Sequence, residues 1–208
     1  MKDDDRSQII SNMMLLAQSF KSECSSLCSL IDEEDDIDHV VKFVEVSYHD
    51  SMEIMNDIRL IYGNNMDDDS SSDVDFLYRI ASALSECIEA LADTAKDLVR
   101  YDIRKLRDNI NSSMTICENV ADKIIDIAFE MKKLSKTNYS FKTILESEHL
   151  NDDGIKCYDD QMTALFASEK DPVEIIKWVA IYKDFREVFE CTGNLMISVT
   201  LYIMYVIR

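Results

Sequence analysis

The chain has only three glycines and one proline among its 208 residues, and this scarcity restricts its fold more than any other feature. Sheets joined by tight turns depend on both residues, whereas long helices need neither in their interiors. The sequence therefore predicts an all-α fold. Apolar periodicity and polar breaks divide it into six helices, over 6–30, 37–61, 74–103, 105–136, 141–168 and 172–207.

The first helix shows the periodicity most clearly. Ile10, Met13, Ala17, Phe20 and Cys24 recur at spacings of three and four. This spacing places them on one face of a helix, as expected of an amphipathic helix that packs against a core.

Two of the breaks between helices carry capping signals. The polar stretch GNNMDDDSSSD, residues 63–73, is the clearest loop in the chain. Within it, Gly63 is a candidate C-cap of the second helix and Asp73 a candidate N-cap of the third. Before the last helix, Asp171 precedes the only proline, so we expect Asp171 to be the N-cap and Pro172 the first helical residue.

The composition is strongly acidic. The chain has 41 Asp and Glu against 22 Lys and Arg, a formal net charge of −19. A nucleic-acid partner is not expected, because binding phosphates needs a basic surface. Cationic partners fit better, either metal ions or the basic cytoplasmic loops of membrane proteins. The alternative is that the charge only keeps the protein soluble.

The cysteines and the two ends of the chain favour a reduced, intracellular protein. Six cysteines are scattered without a CxxC pair, mostly among apolar neighbours, where a thiol acts as a small hydrophobic group. The acidic start, MKDDDRSQ, does not resemble a secretory signal. The uncharged run 191–207 is slightly shorter than the roughly 18–20 residues that a membrane span needs. We therefore expect a buried last helix.

Three carboxylates are stacked on one face of the third helix, at Glu89, Asp93 and Asp97. Like charges four residues apart repel by roughly 0.2–0.5 kcal/mol per pair. Glu89 and Asp93 can reach one cation, and their oxygens suit Mg²⁺, Ca²⁺ or Mn²⁺; a contribution from His49 extends the choice to Fe or Zn. The alternative is a solvated acidic edge relieved by neighbouring basic residues.

Motifs that commonly build enzyme sites are missing from the sequence. It has no glycine-rich phosphate loop, no HExxH and no GxSxG. Carboxylate pairs alone do not make a hydrolase. The sequence therefore predicts a protein that is not an enzyme.

A weak internal repeat relates the two halves of the chain. IEALAD in the third helix has a counterpart, FECTGN, in the sixth, so that Glu89 corresponds to Glu190 and Asp93 to Asn194. Each half contains three predicted helices. The repeat therefore predicts two similar three-helix bundles, over 6–103 and 105–208, within one helical domain, 1–208.

Two stretches give the chain a family resemblance. LYRIASALSECIEALADTAKDLVRYDI, in the third helix, and ALFASEKDPVEIIKWVAIYKDFREVFECTGN, leading into the sixth, resemble the PhoU-like phosphate transport regulators. The branch they resemble is the one associated with low-affinity, Pit-type phosphate transporters. The resemblance implies two pseudo-symmetric three-helix bundles and E/DxxxD motifs whose carboxylates bind iron, zinc or other divalent cations. It also implies a cytoplasmic protein, peripheral to the membrane, that modulates a phosphate transporter.

Carried over residue by residue, the family motifs are incomplete. The motif of the second helix falls on YHDSM and that of the fifth helix on NDDGI, and both have lost their two principal ligands, although His49 and Asp50 remain in the second helix. The sixth helix has Asn where the motif has Asp. The metal ligands implied by the resemblance are Glu89, Asp93, Asp50, His49, Glu190 and Asn194.

The predicted function follows from this resemblance. We expect a non-enzymatic regulator or accessory protein of inorganic phosphate transport, which holds a divalent metal ion (Fe, Zn, Mn or Mg) and contacts a transporter's cytoplasmic face. Self-association into a homo-oligomer is compatible with this role. The alternative is a metal-free helical scaffold or protein-interaction module of the same fold, which the lost ligands favour.

Overall fold

The computed structural model of the protein describes residues 3–31, 36–65, 71–132 and 141–207. Its regular elements there are all helices, which confirms the predicted all-α class and the number of helices. The helices are α1 (Asp3–Cys28), α2 (Ile37–Asn65), α3 (Ser71–Arg100), α4 (Ile110–Lys132), α5 (Phe141–Ser168) and α6 (Pro172–Ile207).

The predicted caps between α2 and α3 are wrong. Gly63 lies inside α2, which continues to Asn65, and none of the glycines in the described ranges has the positive φ of a C-cap. Asp73 lies in the first turn of α3, and its Oδ2 accepts a hydrogen bond from Arg6 Nε at 3.1 Å. The carboxylate that the sequence predicts as a helix cap therefore forms an ion pair with another helix instead.

The end of α3 is a Schellman turn built on aspartate. The N–H of Ile103 donates to Leu98 O and that of Asp102 to Val99 O, the two hydrogen bonds of this motif. Asp102 takes the left-handed conformation, with φ of 52°. Because the turn closes here, α3 ends at Arg100, and α4 begins only at Ile110, five residues later than predicted.

The α5–α6 connection follows the prediction. The N–H of Val173 donates to Asp171 Oδ1 at 2.8 Å, so Asp171 caps a helix that begins at Pro172. Among the described helices, α6 is the one long and apolar enough to cross a membrane, with a mean hydropathy of 1.2 in its most apolar window. Of that window, 44% is buried inside the protein.

The helices pack in a symmetric set of pairs. In the described residues, α1 contacts α2, α3 and α4, α6 contacts α3, α4 and α5, and the remaining pairs are α2 with α3 and α4 with α5. Exchanging α1 with α4, α2 with α5 and α3 with α6 leaves this set unchanged. Two related three-helix units would give the same pairing; the division into bundles at 6–103 and 105–208 stays a prediction.

The core is one continuous apolar cluster to which all six helices contribute. Its largest fully buried side chains include Phe20, Phe185 and Phe189. Cys24 and Cys87 are buried in it, and none of the six cysteines, all within the described ranges, forms a disulfide. Here the thiols act as the small hydrophobic groups that the sequence predicts.

Candidate functional site

The carboxylate ladder of α3 faces outward and is partly neutralised. Glu89 and Asp93 are exposed, and Asp97 is partly buried. Lys96 Nζ lies 2.7 Å from Asp93 Oδ1, and the Arg100 guanidinium pairs with Asp97. Exposed pairs of this kind contribute roughly 0–1 kcal/mol each. They relieve the repulsion within the ladder, as the solvated-edge alternative expects.

On α2, Tyr48 approaches the ladder. Its ring centroid lies 5.6 Å from Lys96 Nζ, a cation–π distance. His49 and Asp50, the two predicted ligands of this helix, are both exposed. The ring of His49 lies beside that of Tyr48, with 5.6 Å between the centroids.

The predicted ligands of α6, Glu190 and Asn194, are also exposed. Arg186 Nε lies 3.0 Å from Glu190 Oε1, one helical turn away. The guanidinium carbon of Arg186 lies 5.2 Å from the ring centroid of Tyr158 on α5. Glu190 therefore has a cationic partner held by α5 and α6 together.

The packing of α3 against α6 brings the acids of the two helices together around Cys191. This thiol is half-buried, and its pKa is raised to about 11, first by burial and then by Glu86, Glu187, Glu190 and Glu89. Two of these glutamates belong to each helix. Glu89 and Glu190, which the repeat pairs in sequence, thus act on the same thiol.

Next to this cluster, α3 and α6 enclose a pocket of about 270 Å³, which we call the acidic groove. Four carboxylates and two basic side chains line it, with one alanine between them. Its residues are Ala90, Asp93, Lys96, Asp97, Arg100, Asp184 and Glu187.

Asp184 is the most perturbed group of the acidic groove. Its pKa is raised to about 7, chiefly by burial and further by the charges of Asp97 and Glu187, while Arg100 lowers it. Its Oδ2 is buried without a hydrogen-bond partner in the described residues. A cation bound here would favour the ionised carboxylate and release a proton near neutral pH.

Sequence reasoning missed Asp184, although a signal exists. Ile181, Asp184, Val188 and Cys191 recur at helical spacing, so an aspartate occupies a position on the core-facing stripe of α6. A charged residue on such a stripe is unusual, and here it marks the place where α3 and α6 leave a pocket between them.

The chemistry of the acidic groove is that of cation binding. Its carboxylates are hard oxygen ligands contributed by two helices, which suits a divalent ion or a basic side chain. In the part of the chain that the structure describes, no three His, Cys, Asp or Glu side chains converge in the geometry of a metal site. The metal therefore stays a prediction.

No protein-family model matches the chain, and no curated protein matches it. The resemblance to PhoU-like regulators therefore rests on the residues and motifs quoted above.

Proposed function

We propose that this protein is a non-enzymatic regulator of inorganic phosphate transport, which binds a basic segment on the cytoplasmic face of a membrane phosphate transporter. The role in phosphate transport is inferred from the family resemblance, and the acidic groove is the proposed contact surface. The observation that carries the contact is Asp184, a carboxylate whose ionised form is disfavoured by burial and by neighbouring acids. An incoming cation reverses that penalty.

The carboxylates of this groove already pair with basic side chains of the protein itself. Lys96 pairs with Asp93 there, and Arg100 pairs with Asp97. Cytoplasmic loops of membrane proteins are rich in Lys and Arg. The net charge of −19 would also speed the encounter with such a loop, most strongly at low ionic strength.

The test measures binding to a purified Pit-type phosphate transporter in nanodiscs, together with phosphate uptake by the same transporter in proteoliposomes. The variant is Asp184→Asn/Glu187→Gln, which removes two groove charges. The matched control is Glu53→Gln/Asp57→Asn, which removes two exposed charges from α2.

We expect the groove variant to bind at least about tenfold more weakly and the control to stay within about twofold of the wild type. Regulation of uptake should fall in parallel with binding. Equal affinity of the two variants for the transporter would contradict the proposal, because the net charge and not the groove would then determine binding.

A divalent metal ion in the same region is the second candidate role. The specific observation that favours it is that the charges of Glu89 and Glu190 both raise the pKa of Cys191, since both are ligands implied by the resemblance. The competing interpretation is a metal-free interaction module, which is favoured because Asp93 and Glu190 already have basic partners. Transporter binding that survives a chelator would favour the module.

A further inference from the structure

The exposed side of α6 changes from charged to apolar along the helix. Its first exposed residues after the buried Ile181 and Tyr182 include Lys183, Glu187 and Glu190. Beyond them, the same side carries four large apolar residues that are 61%, 45%, 48% and 39% exposed, which we call the apolar face: Ile197, Leu201, Met204 and Tyr205. The sequence from 191 to 207 contains no Asp, Glu, Lys or Arg. The apolar face is therefore also uncharged.

The opposite side of this end of α6 is fixed in the protein. Tyr202 and Ile203 are buried in the core. Nη2 of Arg6 in α1 donates to Tyr202 Oη at 2.9 Å. The ring of Phe76 in α3 lies 4.9 Å from that of Tyr205, measured between the centroids. The apolar face is thus preorganised, so a partner would bind without the entropic cost of ordering it.

The spacing of the exposed residues favours a helix as the partner. Over 194–204 they recur at intervals of three, four and three residues, the alternation that presents one seam to a second helix. A lipid surface requires no such spacing, and it attracts helices whose polar side is basic. Here the polar residues on the same side of α6 include two acids, Glu187 and Glu190.

Charge favours a second copy of this chain as that partner. The protein has a net charge of −19, so two copies repel each other least where uncharged surfaces meet. In an antiparallel pair of α6 helices centred on Leu201, Glu190 of one copy lies ~33 Å along the helices from Glu190 of the other. That separation exceeds the Debye length of about 8 Å at physiological ionic strength. A parallel pair would place the two glutamates side by side.

The area of the apolar face fits a weak dimer. Side chains of this size present on the order of 150–200 Å² each when fully exposed, so at their observed exposure the four together offer roughly 350 Å². Interfaces at the low end of specific association bury about 600 Å² per partner, of which roughly 60% is apolar. The apolar face therefore supplies the apolar part of a small, reversible interface.

We propose that two copies of this protein associate reversibly through the apolar faces of their α6 helices. The helices run antiparallel, with Leu201 of one copy against Leu201 of the other and Ile197 opposite Tyr205. The dimer does not depend on the proposed role in phosphate transport, because the apolar face shares no residue with the acidic groove.

The experiment is sedimentation velocity of the full chain from about 1 to about 500 μM at fixed ionic strength. The test variant Leu201→Glu places two like charges opposite each other at the centre of the interface. The matched control, Leu60→Glu, makes the same change at an apolar position of α2 that is 67% exposed. Leu201→Lys is also prepared and mixed with Leu201→Glu, and circular dichroism checks the fold of each variant.

We expect a monomer–dimer equilibrium in the micromolar range. Leu201→Glu and Leu201→Lys should each raise the dissociation constant at least about tenfold, and Leu60→Glu should change it less than about twofold. An equal mixture of the two Leu201 variants should dimerise again, because opposite charges then meet at the centre.

The proposal is overturned if the wild type stays monomeric up to about 500 μM, if Leu60→Glu weakens association as much as Leu201→Glu, or if the mixture does not dimerise. Flotation with phosphatidylcholine vesicles tests the other occupant of the apolar face. A wild type that stays monomeric in solution and binds these vesicles, when Leu201→Glu does not, would have a lipid-binding face instead.

Discussion

Gly154 of α5 lies directly against the ring of Phe189 of α6. A Cβ at position 154 would stand 2.8 Å from the ring atoms Cγ and Cδ1 of Phe189 and 3.2 Å from its Cβ. Carbon atoms do not approach this closely without displacement of a neighbour. The glycine therefore sets how near α5 and α6 can come.

Gly154→Ala should destabilise the protein by about 1–3 kcal/mol, because the added methyl group must displace a buried aromatic ring. Urea unfolding measures the loss. The control is Gly63→Ala in α2, where nothing lies within 4 Å of the added Cβ. There the change should be neutral or stabilising by up to about 1 kcal/mol, since alanine favours the helix. Equal effects at the two positions would contradict the packing argument.

Glu23 makes stability depend on pH. Its side chain is fully buried in the core. Burial raises its pKa from 4.5 to about 8, with a smaller lowering effect of Ser47. Between these two values the folded protein holds a proton that the unfolded chain releases. The free energy of unfolding should therefore fall as pH rises from about 4.5 to 8.

Glu23→Gln removes this titration and keeps the size of the side chain. At pH 8.5 the variant should be more stable than the wild type, by roughly 2–5 kcal/mol, and at pH 4 the two should be close. Urea unfolding at several pH values checks the prediction, with the exposed Glu53→Gln as control. Parallel pH profiles of the wild type and Glu23→Gln would contradict it.

The pKa of Asp184 should respond to its neighbours in the acidic groove. Asp97→Asn removes a nearby negative charge and should lower the pKa of Asp184 from about 7. Arg100→Gln removes a compensating positive charge and should raise it. Carbon-detected NMR titration of the aspartate carboxyl groups measures both shifts. Shifts of the same sign in the two variants would show that local charge does not control this group.

The second candidate role predicts stabilisation by metal. Chelator-stripped protein should melt at a higher temperature with Mn²⁺, Fe²⁺, Zn²⁺ or Mg²⁺, and at 100 times its dissociation constant the ion should add about 2.7 kcal/mol. The gain should vanish in Glu89→Ala/Asp93→Ala and persist in Glu53→Ala/Asp57→Ala, an exposed pair with the same spacing on α2. No gain with any of these ions would favour the metal-free module.

Parts of the candidate site could be read from the sequence. Glu89 and Asp93 form a visible ladder, and Glu190 is its counterpart in the repeat; the structure brings both helices to one thiol, Cys191. Asp184 was not found, because its importance depends on α3 lying opposite it and on the pocket left between the two helices. Spacing along one helix contains no information about the facing helix.

The sequence by itself determined the class and most of the helices. These predictions rest on local features of the sequence: the scarcity of glycine and proline, the apolar periodicity and the cap at Asp171. Local features suffice because a helix is stabilised largely by hydrogen bonds and contacts within a few residues. Only the tertiary structure decided the close contact of Gly154 with Phe189, the burial of Glu23 and the environment of Asp184. These features depend on distance and exclusion of water between segments far apart in the chain, and both arise only when the helices pack.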